Sequence, residues 1–201
     1  MMRQQTLAFL LFALVAAVTP GPSNVMLTTA GAQGGDLGGL PCLLGVATGM
    51  GVMMFVVPLG LGSLVLEHSM VLAALHWGGA AVLLWLAWRI ATADSRLGPG
   101  TAGAPIGYLG AAIFQWVNPK SWLVAASATG TFLSAEAGSP IVQAASLGGL
   151  FVLAALPSGF VWLAFGAVLH RVLDSRRRLR IFNIVMAILL LASLYPVFMD
   201  A

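Results

Sequence analysis

Six apolar stretches fill almost the whole of this 201-residue chain, at about 6–28, 40–66, 70–92, 105–133, 141–169 and 180–199. A hydrocarbon core ~30 Å thick is crossed by roughly 20 apolar residues in a helix. In lipid only helices and closed barrels satisfy their own backbone groups. Barrel strands would alternate at every second residue, and runs such as Val71–Leu75 and Ile184–Leu191 do not. The chain is therefore expected to be an all-α membrane protein of six transmembrane helices. Charged residues make up 7% of it, against ~25% in a soluble domain, and the connections are too short to hold a separate domain. Several runs exceed 25 residues, so tilt or breaks are expected within them.

The apolar runs are punctuated by a repeat. Pro20, Pro41 and Pro58 recur 99 positions later, without a gap, as Pro119, Pro140 and Pro157, and Gly31, Gly39, Gly49 and Gly60 recur as Gly130, Gly138, Gly148 and Gly159. Chance supplies roughly a quarter of one matched proline pair at a given offset, so three point to an internal repeat. The expected organisation is a first three-helix repeat over 1–92, a linker over 93–104 and a second three-helix repeat over 105–201. An odd number of crossings turns the second repeat upside-down relative to the first. Inverted repeats of this kind recur in secondary transporters, where two related halves rock about a central site. The third helix of each half matches least well.

Charge follows topology rather than a nucleic-acid surface. The loops joining spans 1–2, 3–4 and 5–6 hold Arg89, Arg96, Arg171, Arg176, Arg177, Arg178 and Arg180, whereas the opposite side holds Arg3 alone, with Glu67, Glu136 and Asp200. The positive-inside rule places the arginine-rich loops in the cytoplasm and both termini outside, although Arg3 pulls the first helix the other way. The arginine run at 176–180 also suits anionic headgroups. Arg3 and the apolar run Leu7–Val18 imitate a signal peptide, but the match of 7–31 to 106–130 argues for its retention. Cys42, the only cysteine, excludes an internal disulfide. His68, His76 and His170 form no pair one turn apart, so no metal or other cofactor is expected.

Pro20 and Pro119 each lie about 14 residues, or ~20 Å, into their helices. A proline there removes a donor and clashes with the preceding turn, so both helices are expected to break. The freed carbonyls must meet protein or a water-filled cavity. The first break reads Thr19-Pro20-Gly21-Pro22-Ser23-Asn24 and the second Gln115-Trp116-Val117-Asn118-Pro119-Lys120. Lys120 is the only lysine. An ammonium at such a depth marks a functional site by default; a snorkelling anchor is the competing reading. In a cavity it would hold a carboxylate. Asn24, Asn118, Ser23 and Gln115 would add hydrogen bonds, Gly21 would allow close backbone approach, and Pro20, Pro22 and Pro119 would hold the breaks open. Trp116 and Trp122 flank the second break and are further candidates to line the site. His76 is a candidate for proton coupling.

At Thr19-Pro20-Gly21-Pro22 and Asn118-Pro119-Lys120 the chain resembles the LysE/RhtB family of bacterial amino-acid exporters, and the resemblance extends through His76–Arg89 and Arg177–Leu191. It implies a multi-pass protein of the bacterial inner membrane that exports amino acids or close relatives, a process usually driven by the proton gradient. The chain departs from the family pattern at Gly34–Gly39, where members often carry basic residues, at Met50, where many carry an acid, and at Val82, where a tyrosine is usual.

The function expected is secondary export of a small amino-acid-like solute, with a passive channel or membrane scaffold as the alternative. An enzyme is not expected, because no nucleophile with a base beside it is visible. The partners expected are the solute and the lipid bilayer, without nucleic acid; a homodimer is left open. The charge asymmetry predicts that cysteines placed at Ser95 and Ser175, in a Cys42-free background, resist an impermeant thiol reagent added to intact cells. Ready labelling of both would overturn the orientation.

Overall fold

The computed structural model describes residues 3–92, 106–134, 138–172 and 176–192. Almost all of these residues are helical and none lies in a strand. In chain order the helices are α1 (Arg3–Val18), α2 (Pro22–Val56), α3 (Leu61–Glu67), α4 (Ser69–Ala91), α5 (Tyr108–Val117), α6 (Pro119–Phe132), α7 (Pro140–Val172) and α8 (Arg176–Ala192). Three stretches, Pro22–Leu59, Ser69–Ala91 and Pro140–Leu169, are long and apolar enough to cross a membrane. α1 and α5 are apolar but have only 16 and 10 residues. At 1.5 Å per residue they span ~24 and ~15 Å, short of a full crossing.

The first two apolar runs meet without the loop expected between them. The helix continues on both sides of Gly35, whose φ of 66° only glycine adopts cheaply. A Cβ on Gly39 would lie 3.4 Å from the Ala30 carbonyl carbon, so the chain doubles back there. At the far end, a 3-10 turn at Val57–Leu59 and Gly60, with φ 115°, separate α2 from α3.

α2 and α7 form the centre. They approach so closely that a Cβ on Gly31 would lie 2.0 Å from the Leu163 carbonyl oxygen, and one on Gly166 would lie 1.9 Å from that of Thr28. Farther along, Gly51 and Gly148 face each other. Lipid offers no hydrophobic drive between helices, so backbone proximity through small residues supplies the packing. α5 lies against α2 through Gly45 and Gly49. α1 packs on α7 through Phe9 and Ala13, and Phe9 meets Phe132 of α6 edge-on at 5.2 Å. α4 and α8 share a core through Leu83, Leu86, Ile90, Ala187 and Leu190. Leu11, Val15, Leu109, Ile113, Leu153 and Val161 are more than half exposed, as lipid-facing residues are.

The residues matched at 99 positions do not all have matching surroundings. Gly31 is wedged against α7, whereas Gly130 faces open space. Pro58 stands in the 3-10 turn, whereas Pro157 lies inside α7. Gly49 and Gly148 are alike, each seated on the backbone of a neighbouring helix. Linker residues 93–104 lie outside the described residues.

These contacts predict opposite fates for two matched glycines. Gly31→Val should cost at least the ~1–3 kcal/mol of an overpacked core, several degrees in the Tm of purified protein. Gly130→Val should stay within ~0.5 kcal/mol. Equal effects would contradict the close approach of α2 and α7.

Candidate functional site

α1 stops at Val18, and α2 begins at Pro22 after an extended Gly21. α5 stops at Val117, and α6 begins at Pro119 after the extended Asn118. A proline fits the first position of each following helix, where the missing N–H has no helical partner to lose. Pro22, rather than Pro20, is thus the structural counterpart of Pro119; Pro20 lies in the gap itself.

Each break satisfies its own backbone. The Asn24 side-chain amide donates to the carbonyls of Ala17, Val18 and Thr19, at 3.1, 3.4 and 2.9 Å, and so closes the end of α1. The Asn118 Oδ1 accepts from the Lys120 amide at 3.2 Å, an N-cap for α6. Trp122 Nε1 donates to the Trp116 carbonyl at 2.7 Å across the second break. Contrary to expectation, neither tryptophan is among the described residues that line the cavity below; the Trp116 and Trp122 rings pack edge-on instead.

The breaks also hold each other. Ser23 Oγ donates to Gln115 Oε1 at 3.0 Å, and Asn118 Nδ2 donates to Ser23 Oγ at 3.2 Å. Ser121 Oγ donates to the same Gln115 oxygen at 3.0 Å, while Gln115 Nε2 donates to the Ala111 carbonyl. Lys120 Nζ reaches back across the gap to the carbonyl oxygens of Thr19 and Pro20. Among the described residues those two carbonyls are its acceptors, so one of its three N–H donors is left over. A Cβ on Gly21 would lie 2.8 Å from Lys120 Cδ, so the absent side chain makes room for the lysine.

A cavity of about 50 Å³ lies where these groups converge. All six residues singled out as binding candidates line it: Lys120, Asn118, Asn24, Ser23, Gln115 and Gly21. Pro20, Pro22 and Pro119 shape the breaks without lining the cavity. The volume suits one or two waters at ~30 Å³ each. Among the described residues, Lys120 is the only charged one in the lining. His76 belongs to α4, which contributes nothing to the lining, and its side chain lies outside the described residues. The described residues hold no cluster of three potential metal ligands.

The apolar part of the lining was not singled out as a site in the sequence. Val46 and Met50 of α2 face the cavity with Val124 of α6 and with Phe151, Ala155 and Gly159 of α7. These positions recur at intervals of four, as one helix face must. Met50 stood out in the sequence only as a departure from the family pattern; the rest of that face is indistinct in a helix that is apolar all round.

The pairing of a broken Thr-Pro-Gly-Pro segment with a broken Asn-Pro-Lys segment agrees with comparison to known families. The model of the LysE type translocators matches residues 14–193. The chain belongs to this family. The cysteine/O-acetylserine efflux protein of Escherichia coli (strain HS) is 31% identical over 195 residues, covering 95% of this chain and 96% of the relative. The protein of that name from Salmonella typhi is 32% identical over 198 residues, with the same coverage of both chains. No solved structure matches the chain. The LysE-family chain is accordingly a multi-pass transporter of the inner membrane and not an enzyme.

The hydrogen bonds at the first break predict that Asn24→Ala leaves the carbonyls of Ala17 and Val18 without their side-chain donor and that of Thr19 with Lys120 alone. The cost should be about 1–3 kcal/mol, or several degrees in Tm, and larger than that of Ser23→Ala. An unchanged Tm would remove Asn24 from the closure of α1.

Proposed function

We propose that this LysE-family protein exports a small amino acid or a close relative, holding the solute's carboxylate at Lys120 between the two helix breaks. One observation carries the reading: the only lysine in the chain lines a cavity that, among the described residues, no acidic residue lines. α2 and α6 both begin at this cavity, and their N-terminal ends add positive potential to that of the ammonium. Ser23, Asn24, Gln115 and Asn118 surround the ammonium with neutral donors and acceptors suited to the rest of an amino-acid headgroup. The names of the Escherichia coli and Salmonella typhi relatives, cysteine/O-acetylserine efflux proteins, support a small solute of this class.

The geometry also suggests how binding couples to movement. A cavity of about 50 Å³ is too small for an amino acid, so the walls must part before one enters. The ammonium is engaged by the Thr19 and Pro20 carbonyls. A carboxylate makes the stronger, charge-assisted bond, so it displaces those carbonyls and frees the end of α1 from α6. Binding is then favoured in the state where the two breaks separate, as population shift requires.

The wider architecture in this reading is six spans in two inverted repeats, over 1–92 and 105–201, with the first and fourth spans broken and both termini outside. Two features support it. The breaks at Thr19–Gly21 and Asn118 stand 99 residues apart at their first positions. α5 packs on α2 as α1 packs on α7, which a two-fold exchange of the halves demands.

Reconstituted vesicles provide the test. Export should show counterflow, accelerated by unlabelled solute on the far side, which a passive channel does not show. Lys120→Met should weaken solute binding at least tenfold, since removing one member of a buried charge pair costs ~2–5 kcal/mol. Lys120→Arg should keep partial transport, because its forked head differs in shape. Normal counterflow in Lys120→Met would leave the lysine as a tie between the breaks and nothing more.

A further inference from the structure

The polar residues of the lining account for a carboxylate and an amine, but not for the apolar wall beside them. Val46 and Met50 stand one turn apart on α2, and Phe151 and Ala155 one turn apart on α7. Met50, Phe151 and Ala155 are 6%, 3% and 6% exposed, so their surfaces face the cavity and neighbouring helices rather than lipid. We propose that this wall is the subsite for the solute's side chain. It admits a short, uncharged side chain and rejects a charged one; Met50 and Phe151 set its polarity and Ala155 its depth. The inference rests on Lys120 holding the carboxylate, which fixes the end of the solute that points at this wall.

Charge decides the first part. A cationic side chain would bring a second positive charge into a cavity that already holds Lys120 and, among the described residues, has no carboxylate to receive it. Like charges placed together in this way cost several kcal/mol, more than a tenfold loss of binding. An anionic side chain fares no better, because Val46, Met50 and Phe151 offer its oxygens no donor, and burying a charge without one is costly. An aliphatic, hydroxyl- or thiol-bearing chain of a few atoms meets neither obstacle.

Packing decides the second part. The wall cannot retreat while α2 and α7 stay together, because the backbones already touch at Gly51 and Gly148. Met50 is the adaptable member, since its unbranched thioether rearranges at little cost. Length is therefore limited mainly by the small residue at position 155.

Exchange in proteoliposomes loaded separately with L-alanine, L-serine, L-methionine, L-lysine and L-glutamate tests the subsite, read as ratios of rates, which the folded fraction does not alter. The wild type should exchange alanine or serine at least about tenfold faster than lysine or glutamate. Met50→Glu should raise the lysine-to-alanine ratio at least about tenfold by giving the cation a partner. Ala155→Leu should lower the methionine-to-alanine ratio, and Met50→Ala should raise it. Ratios unchanged in all three variants, or a wild type that exchanges lysine as fast as alanine, would overturn the subsite. Lys120→Met separates the two layers. If it abolishes exchange while the ratios of the other variants stay flat, the subsite alone fails; if it exchanges normally, the carboxylate site beneath it fails.

Discussion

A helix interrupted at the depth of a bilayer exposes N–H and C=O groups that lipid cannot satisfy, and the structure is organised around meeting that demand twice in one place. Asn24 answers for the end of α1 and Asn118 for the start of α6. Ser23, Gln115 and Lys120 then tie the two interruptions to each other. A break closed by its own neighbours would be a packing kink. Breaks closed partly by one another enclose space, and that space is the cavity.

The same tie explains why an expensive residue sits there. A lone ammonium inside a membrane costs several kcal/mol unless carbonyls or water receive it. The gap at Thr19–Gly21 supplies two carbonyls, and the bare Gly21 leaves room for the lysine stem. The carbonyls hold the cation without neutralising it, so its full charge remains for an anion that displaces them. Among the described residues, none from α4 or α8 lines the cavity. The two helices pack together outside it, through Leu83, Leu86, Ile90, Ala187 and Leu190.

Much of this was legible in the chain. The polar residues at both breaks were visible because each contrasts with an apolar surround, and all six proposed binding residues converge in space. The length of α1 and the start of α6 follow from proline's missing donor. Three things were hidden. The turn at Gly35 lay within a glycine-rich stretch where any of several glycines would serve. Pro22, not Pro20, opens α2, because two prolines so close together leave the helix start ambiguous. Met50, Phe151 and Ala155 were invisible as a wall because, in a helix apolar on every side, which face turns inward is set by packing against glycines rather than by composition.

The account stands or falls on whether a solute occupies the space between the two breaks. Ala17 lines that space without a polar side chain of its own, so Ala17→Cys in a Cys42→Ala background reports on occupancy with little disturbance. The rate of alkylation by a small maleimide, measured in proteoliposomes, should fall at least about tenfold when the amino acid with the fastest counterflow is present at a hundred times its Kd. An alkylation rate indifferent to that amino acid, in protein that still transports it, would contradict the claim that the helix breaks form the binding site.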